Sequence, residues 1–238
     1  MAGHLFILRG DLTQLHCDAW LLPTGRSLKV LDYWMHALPG FRRGPTGRLV
    51  DLPEPPPAAW QTRELRAFPL RPWPPGVPAP WLTNVGFRVD PEARTRDRVA
   101  WFMEGLRSFL REARTQPTPR VTARSLPLLA VPVVGSGQGG GARVQGDLIR
   151  AHLETLTREV AEHDVDVALV TFSEEAFAAA QEARKSLRPR WPLPARLLRL
   201  AEGLAGAASA SELVLFLGAG VSQAAGLPDW QGLLERLM

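Results

Sequence analysis

The sequence is poor in cysteine and has no long apolar run. No segment of its 238 residues holds the roughly 18 uninterrupted apolar residues that a transmembrane helix needs. The N-terminal stretch lacks a signal-peptide core, so we expect an intracellular, cytoplasmic protein without a membrane partner. The lone Cys17 cannot form an internal disulfide or a thiolate cluster. We expect a buried, unreactive thiol and no bound metal.

Lysine is also scarce, although the chain is basic, with a net charge of +4 and a pI near 10.1. Lys29 and Lys185 are the only lysines, so nearly all the cations are arginines. A basic chain can bind nucleic acid, but the sequence has no stripe of cations interleaved with aromatic residues. Contact with RNA or DNA through the arginine-rich stretch 42–71 is therefore a minor alternative.

Apolar runs and helical stripes alternate along residues 1–186, which is typical of an α/β domain with three layers. The nearly continuous apolar content of 126–134 predicts a central strand that is buried on both faces. Dense proline between 39 and 80 predicts surface loops with one edge strand near 65–70. The other predicted strands are 4–9, 18–22 (stopped by Pro23), 81–87, 164–172 and 213–217. The predicted helices are 28–38, 97–115, 146–163, 174–186, which Ser173 would cap, and about 196–207.

A glycine-rich segment follows the predicted central strand and precedes a helix. Strand, glycine loop and helix together direct backbone N–H groups towards one point beside a positive helix end, which suits a phosphate group. The alternative is a plain surface loop whose glycines only relax the turn. On the following helix, His152 lies close to the apolar stripe, and we expect a partly buried packing residue. The predicted phosphate-binding residues are Gly135, Ser136, Gly137, Gln138, Gly139 and Gly140.

Three motifs of the chain resemble the macrodomain family. Gly10-Asp11-Leu12-Thr13, followed by the strand at 18–22, is similar to the Gly-Asp-Ile-Thr motif and strand that open that family. The segment 131–140 is similar to its second phosphate loop, and 167–175 resembles its last strand and helix. The resemblance covers about residues 4–186. It implies a mixed sheet flanked by helices, with ADP-ribose lying across the strand ends.

Within this resemblance Asp11, next to Leu12, matches the aspartate that accepts a hydrogen bond from the adenine amine. An ionised carboxylate suits that role because it only accepts hydrogen bonds. The alternative is that Asp11 is a turn or capping residue. The chain departs from the family where Asn-Ala-Ala-Asn is replaced by Leu22-Pro23-Thr24-Gly25 and where the next glycine-rich segment is missing. We therefore expect binding without hydrolysis and no catalytic residue.

A second motif, at 213–230, is similar to the signature of sirtuins, in which an apolar strand precedes Gly-Ala-Gly-x-Ser. The glycines would let the main chain approach a pyrophosphate, and Ser222 could add a hydroxyl contact. The predicted binding residues are Gly218, Ala219, Gly220, Ser222, Asp229 and Trp230. The catalytic His and the nicotinamide-side Asn of that family would follow Met238, so an incomplete Rossmann-like sirtuin start is expected here.

Together the motifs predict a macrodomain-like domain at 1–186, a linker at 187–200 and the start of a sirtuin-like domain at 201–238. The expected ligand is NAD or an ADP-ribose-type nucleotide. A longer parent protein would be a sirtuin-like NAD hydrolase or deacetylase, similar to bacterial Thoeris-like antiviral effectors that consume NAD. The alternative is a degenerate macrodomain scaffold that mediates protein–protein assembly, including self-association, and binds no ligand.

Overall fold

The computed structural model describes residues 3–86, 95–116, 119–135, 145–187, 194–214 and 230–237. The chain divides into two compact units, Met1–Ser186 and Leu187–Met238. Each unit is described by itself.

The strands of the first unit are β1 Leu5–Arg9, β2 Ala19–Thr24, β3 Arg42–Arg43, β4 Leu49–Val50, β5 Ala67–Pro69, β6 Ala79–Asn84, β7 Leu128–Pro132 and β8 Asp166–Thr171. Six of them form one sheet with the order β1-β8-β7-β2-β6-β5. All neighbouring strands are parallel except β5, which runs antiparallel to β6 and forms one edge. The predicted α/β sheet flanked by helices is confirmed, with the central strand at β7. Strands β3 and β4 form a separate hairpin.

The helices of this unit are α1 Ala58–Gln61, α2 Thr95–Thr115, α3 Gln145–Glu162 and α4 Glu174–Leu187, with 3₁₀ helices at Leu12–Gln14 and Asp32–Ala37. The long helix α2 packs against α3 and against β5, β6 and β2, whereas α3 packs on β1 and β8. The apolar stripe predicted for α2 is confirmed, because Phe102, Leu106 and Phe109 are almost fully buried. Ser173 caps α4 as predicted, since its Oγ accepts the N–H of Ala176 at 3.2 Å.

The predicted surface loops of 39–80 are only partly correct. The edge strand is confirmed at β5, but Leu49, Trp60 and Leu70 are buried in the same cluster as Trp20. Trp60 packs edge-on against Phe68 with ring centroids 4.9 Å apart. Proline excluded long elements here, but it did not prevent short ones from covering a face of the sheet.

Two further element predictions need correction. The helix predicted at 28–38 is a 3₁₀ helix that starts only at Asp32, because Leu28 adopts a positive φ of 59° and turns the chain. Strand β2 continues through Pro23 to Thr24. A proline is tolerated there because β2 pairs with β7 only at Ala19 and Trp20, so that the far half of the strand is bonded on one side.

The start of β2 carries a buried cysteine and a buried carboxylate. Cys17 is free and fully buried, and burial together with the charge of Asp18 raises its pKa to about 12, as expected for an unreactive thiol. Burial alone would raise the pKa of Asp18. Hydrogen bonds from the N–H groups of Thr122, Leu128 and Val121 and from the Thr122 hydroxyl outweigh it and lower that pKa. Asp18 thereby fixes the entry of β7 against β2.

The second unit contains α5, Ala195–Ser209, and α6, Trp230–Leu237. Helix α5 begins within the stretch predicted as linker, and none of its side chains is buried. Leu213 and Val214 belong to no strand, and the rest of the strand predicted at 213–217 lies outside the described residues. No helix in the described ranges is long and apolar enough to cross a membrane.

Candidate functional site

A cleft of about 600 Å³ opens at the carboxyl ends of β1, β8 and β7. The ends of β1 and β8 are joined there, because the N–H of Gly10 donates to the carbonyl of Thr171 at 3.0 Å. The carboxyl edge of a parallel sheet is where α/β proteins bind ligands. The walls comprise Gly10, Asp11 and Leu12 after β1; Tyr33, Trp34 and His36 from the second 3₁₀ helix; Pro132, Val133, Val170, Phe172 and Ser173 from β7 and β8; and Gln145 and Ala176 from α3 and α4.

Asp11 lies at the rim of this cleft with its side chain 43% exposed. Its Oδ1 accepts the backbone N–H of Thr13 at 2.9 Å and the Thr13 hydroxyl at 2.7 Å. Asp11 is therefore the N-cap of the first 3₁₀ helix, which was the alternative interpretation of this residue. The cap uses only one oxygen, since Oδ2 lies 3.9 Å from Nε2 of His36, too far for a hydrogen bond.

Two aromatic side chains are exposed in the same cleft. Phe172 follows β8 directly and is 88% exposed, and Tyr33 is 60% exposed. Partial burial raises the pKa of the Tyr33 hydroxyl, so it remains a neutral donor. Large aromatic rings are normally buried, and a flat ligand could stack on either one. Neither residue was predicted from the sequence to bind a ligand, and His36 was not predicted either.

Gly135, the first residue of the predicted glycine loop, follows the end of β7. Gly135 has a positive φ of 87°, and a Cβ built on it would lie 2.6 Å from the ring of Phe102. The N–H of Val134 donates to Nε2 of His152 at 3.1 Å, and Nδ1 of His152 bonds the carbonyl of Leu148 at 2.7 Å. The positive φ at position 135 and the nearness of the Phe102 ring both require glycine there.

His152 is a packing residue, as expected, and it is fully buried. Burial lowers its pKa to about 4, so the ring is neutral and holds the end of β7 against α3. The other predicted loop residues, Ser136, Gly137, Gln138, Gly139 and Gly140, lie outside the described residues. Gln145, the first residue of α3, lines the cleft.

The carboxyl ends of β2 and β6 are closed by contrast. The Thr24 hydroxyl donates to the carbonyl of Lys29 at 2.9 Å. The Arg26 guanidinium donates to the carbonyls of Trp60 and Leu65 and stacks on the Trp60 ring.

The backbones also meet at this end of the sheet. A Cβ built on Gly86 would lie 2.8 Å from the Cα of Gly25. Among the described residues, none from 23–26 or 84–86 lines the cleft.

The sirtuin-like residues cannot be placed in a site. Gly218, Ala219, Gly220, Ser222 and Asp229 lie outside the described residues, and Trp230 begins α6 with its side chain also undescribed. Within the described ranges, no group of three or more His, Cys, Asp or Glu side chains could hold a metal ion.

No protein-family model and no curated protein matches the sequence. Solved structures do match, among them three of the Oceanobacillus iheyensis macrodomain. A variant of it is 16% identical with a TM-score of 0.54, covering 78% of this chain and 93% of that one. A second variant, with ADPR, is 15% identical with a TM-score of 0.52, covering 79% and 96%. The protein with MES bound is 17% identical with a TM-score of 0.52, covering 78% and 93%.

At this level of identity the likeness concerns the fold. None of the three structures is a sirtuin, so the sirtuin-like segment stays a prediction. Over most of its length, the chain has a macrodomain-like fold.

Proposed function

We propose that the first unit binds an ADP-ribose-type nucleotide in the cleft at the ends of β1, β8 and β7. The main support for the proposal is that Asp11 and Phe172 line the same cleft. Asp11 has a carboxylate oxygen, Oδ2, that forms no hydrogen bond with any described residue, and this oxygen can accept a hydrogen bond from the exocyclic amine of adenine. The exposed ring of Phe172 offers a face on which a purine can stack.

The diphosphate would lie beyond the adenine, towards α3. Gln145 lines the cleft and is the first residue of this 18-residue helix. The first N–H groups of a helix have no partner within the helix and attract anions. The glycine segment 135–140 would supply further N–H groups. The structural relative with ADPR supports a ligand of this class.

We propose binding without cleavage of the ligand. Hydrolysis would need a polar group able to activate water near the distal ribose. At the closed end of the sheet, Thr24 and Arg26 already bond to carbonyl groups of the protein. Among the described residues that line the cleft, Asp11 is the only carboxylate, and we assign it to the base.

Calorimetric titration of the full chain with ADP-ribose, ADP and NAD tests the proposal. We expect ADP-ribose to bind, and Asp11→Asn to weaken binding about tenfold or more, because a hydrogen bond to a charged group contributes about 1.5–3 kcal/mol. Asp51→Asn is the matched control, since Asp51 is exposed just after β4 and, within the described ranges, pairs with the exposed Arg42. No heat and no thermal shift at millimolar ADP-ribose would reject ligand binding and leave the scaffold hypothesis.

For the C-terminal unit we propose, on the sirtuin-like motif alone, a second diphosphate loop that binds NAD. An NAD-consuming defence role would belong to a longer protein that carries both parts. Gly220→Val should abolish binding of NAD at this second site and leave the first site intact, because a side chain would block the approach of the pyrophosphate. Gly203→Val is the matched control, since a Cβ on Gly203 meets nothing within 4 Å. If the wild type bound NAD at a single site, the proposed second site would be wrong, whereas the proposed ADP-ribose site in the first unit would be unaffected.

A further inference from the structure

We propose that His36, acting through Thr13, positions Asp11 for a base with an exocyclic amine, so that the cleft prefers adenine over hypoxanthine nucleotides. The proposal rests on the nucleotide-binding function proposed above and assigns a specificity-determining role to a residue outside the motifs. His36 lies on the 3₁₀ helix Asp32–Ala37, and its ring reaches the cap formed by Asp11 and Thr13.

The first step concerns Nδ1 of His36, which lies 2.7 Å from the carbonyl oxygen of Tyr33. A carbonyl oxygen can only accept a hydrogen bond, so Nδ1 must carry a proton. In a neutral imidazole the other nitrogen, Nε2, would then be without a proton and could only accept.

The second step concerns the single hydroxyl proton of Thr13. Its Oγ lies 2.7 Å from Oδ1 of Asp11 and 3.1 Å from Nε2 of His36. The hydroxyl can donate to only one of these two acceptors. With a neutral His36, one contact would therefore join two lone pairs without a proton. When Nε2 is also protonated, it donates to Thr13, Thr13 donates to Asp11, and every contact has its proton.

The third step concerns the oxygen left for the ligand. Oδ1 of Asp11 is occupied by two donors from Thr13, and Oδ2 lies 3.9 Å from Nε2 of His36. An ionised carboxylate accepts hydrogen bonds and donates none. Both side chains are about half exposed, so their attraction adds little stability, and the main effect is orientation. Adenine offers an amine to Oδ2, whereas hypoxanthine offers an oxygen that the carboxylate repels.

The position of His36 is fixed by its neighbours in the chain. Trp34, two residues earlier, is buried and lies against Trp20 of β2 with ring centroids 5.6 Å apart. The 3₁₀ helix is thereby anchored on the sheet, which holds the imidazole within reach of the cap. An orienting residue needs this kind of support to determine specificity.

Calorimetric titration with ADP and inosine diphosphate tests the proposal. We expect the wild type to prefer ADP at least about tenfold, and His36→Ala to lower this ratio about fivefold, the effect of one hydrogen bond. His36→Gln should keep most of the preference, because its amide can donate to Thr13. His16→Ala is the matched control, since His16 is exposed and does not line the cleft. Thermal melting confirms that each variant is folded.

A double-mutant cycle with Asp11→Asn distinguishes positioning from a general structural effect. If His36 acts through Asp11, His36→Ala should change the ADP preference of the Asp11→Asn protein less than twofold, because coupled residues are not additive. An unchanged ratio in His36→Ala, or additive effects in the cycle, would overturn the assignment of His36. A wild type that binds neither nucleotide nor ADP-ribose would instead overturn the proposed function.

Discussion

The carboxyl ends of β1 and β8 and those of β2 and β6 lie on the same edge of one sheet, but they are built differently. At the first pair, one oxygen of Asp11 forms no hydrogen bond within the described part of the chain, and Phe172 is almost fully exposed. At the second pair, Thr24 and Arg26 bond inward to carbonyl groups. Asp11 and Phe172 therefore face the cleft, whereas Thr24 and Arg26 hold the protein together. We expect the open end to control affinity and the closed end to control stability.

The largest effect is expected at the closed end. Gly86→Ala would place a Cβ 2.8 Å from the backbone of Gly25, and overpacking of this kind costs about 3 kcal/mol. Urea denaturation should show this loss, while the affinity for ADP-ribose changes less than about twofold. Gly203→Ala, in open space on α5, should not destabilise the protein. A large loss of affinity in a folded Gly86→Ala protein would show that the closed end also controls binding.

Acid should destabilise the protein through His152, which accepts a hydrogen bond from Val134 just after β7, the strand between the open and the closed end. Its pKa is about 4 in the folded protein and near 6.5 when unfolded, so the unfolded state binds the proton first as the pH falls. The stability that His152 contributes is therefore complete above about pH 6.5 and is lost as the pH falls towards 4. The loss is at most on the order of 3 kcal/mol.

Denaturation at several pH values measures this loss. In the His152→Gln protein, the free energy of unfolding should depend less on pH between about pH 6.5 and 4, although the substitution lowers the stability at neutral pH. His163→Gln is the control, because His163 is partly exposed just after α3 ends. An equally steep acid loss in the His152→Gln protein would show that other groups are responsible.

At the open end, Phe172→Ala should weaken ADP-ribose binding about tenfold, because stacking of a base on an aromatic ring contributes about 1–3 kcal/mol. The free energy of unfolding should change by less than about 0.5 kcal/mol, since the ring is exposed. Calorimetry and thermal melting of the same sample measure both quantities. Val77→Ala, a truncation of another exposed apolar residue, is the control. Unfolding of the Phe172→Ala protein would mean that the ring is structural.

The smallest effect is expected for Thr24→Val, which removes the hydroxyl that donates to Lys29. A typical hydrogen bond contributes about 1 kcal/mol, so the midpoint of denaturation should fall slightly. Affinity for ADP-ribose should be unchanged. Weaker binding of ADP-ribose by Thr24→Val would place the distal part of the ligand at β2, contrary to the closed end described here.

The sequence predicted the layers of the fold because periodic apolar patterns are local. Helices α2 and α3, the strand β7 and the cap at Ser173 were all indicated by nearby residues. The burial of Trp60 was not, because proline density describes the backbone and does not reveal which residues reach the core.

The site was predicted in part for the same reason. Asp11 belongs to a local motif, whereas His36 meets Thr13 across 23 positions of the chain. Phe172 continues an apolar run, so the sequence placed it in a strand. Pairing of β8 with β1 ends at Thr171, which leaves Phe172 beyond the sheet. Tertiary contacts, which a pattern does not contain, decide both positions.

A crystal structure of the full chain with ADP-ribose would show where the nucleotide binds. We predict the adenine ring against Phe172, with its amine within hydrogen-bond distance of Oδ2 of Asp11 and the diphosphate towards the start of α3. Electron density for the nucleotide at the ends of β2 and β6, or anywhere outside the cleft that Asp11 lines, would contradict the account.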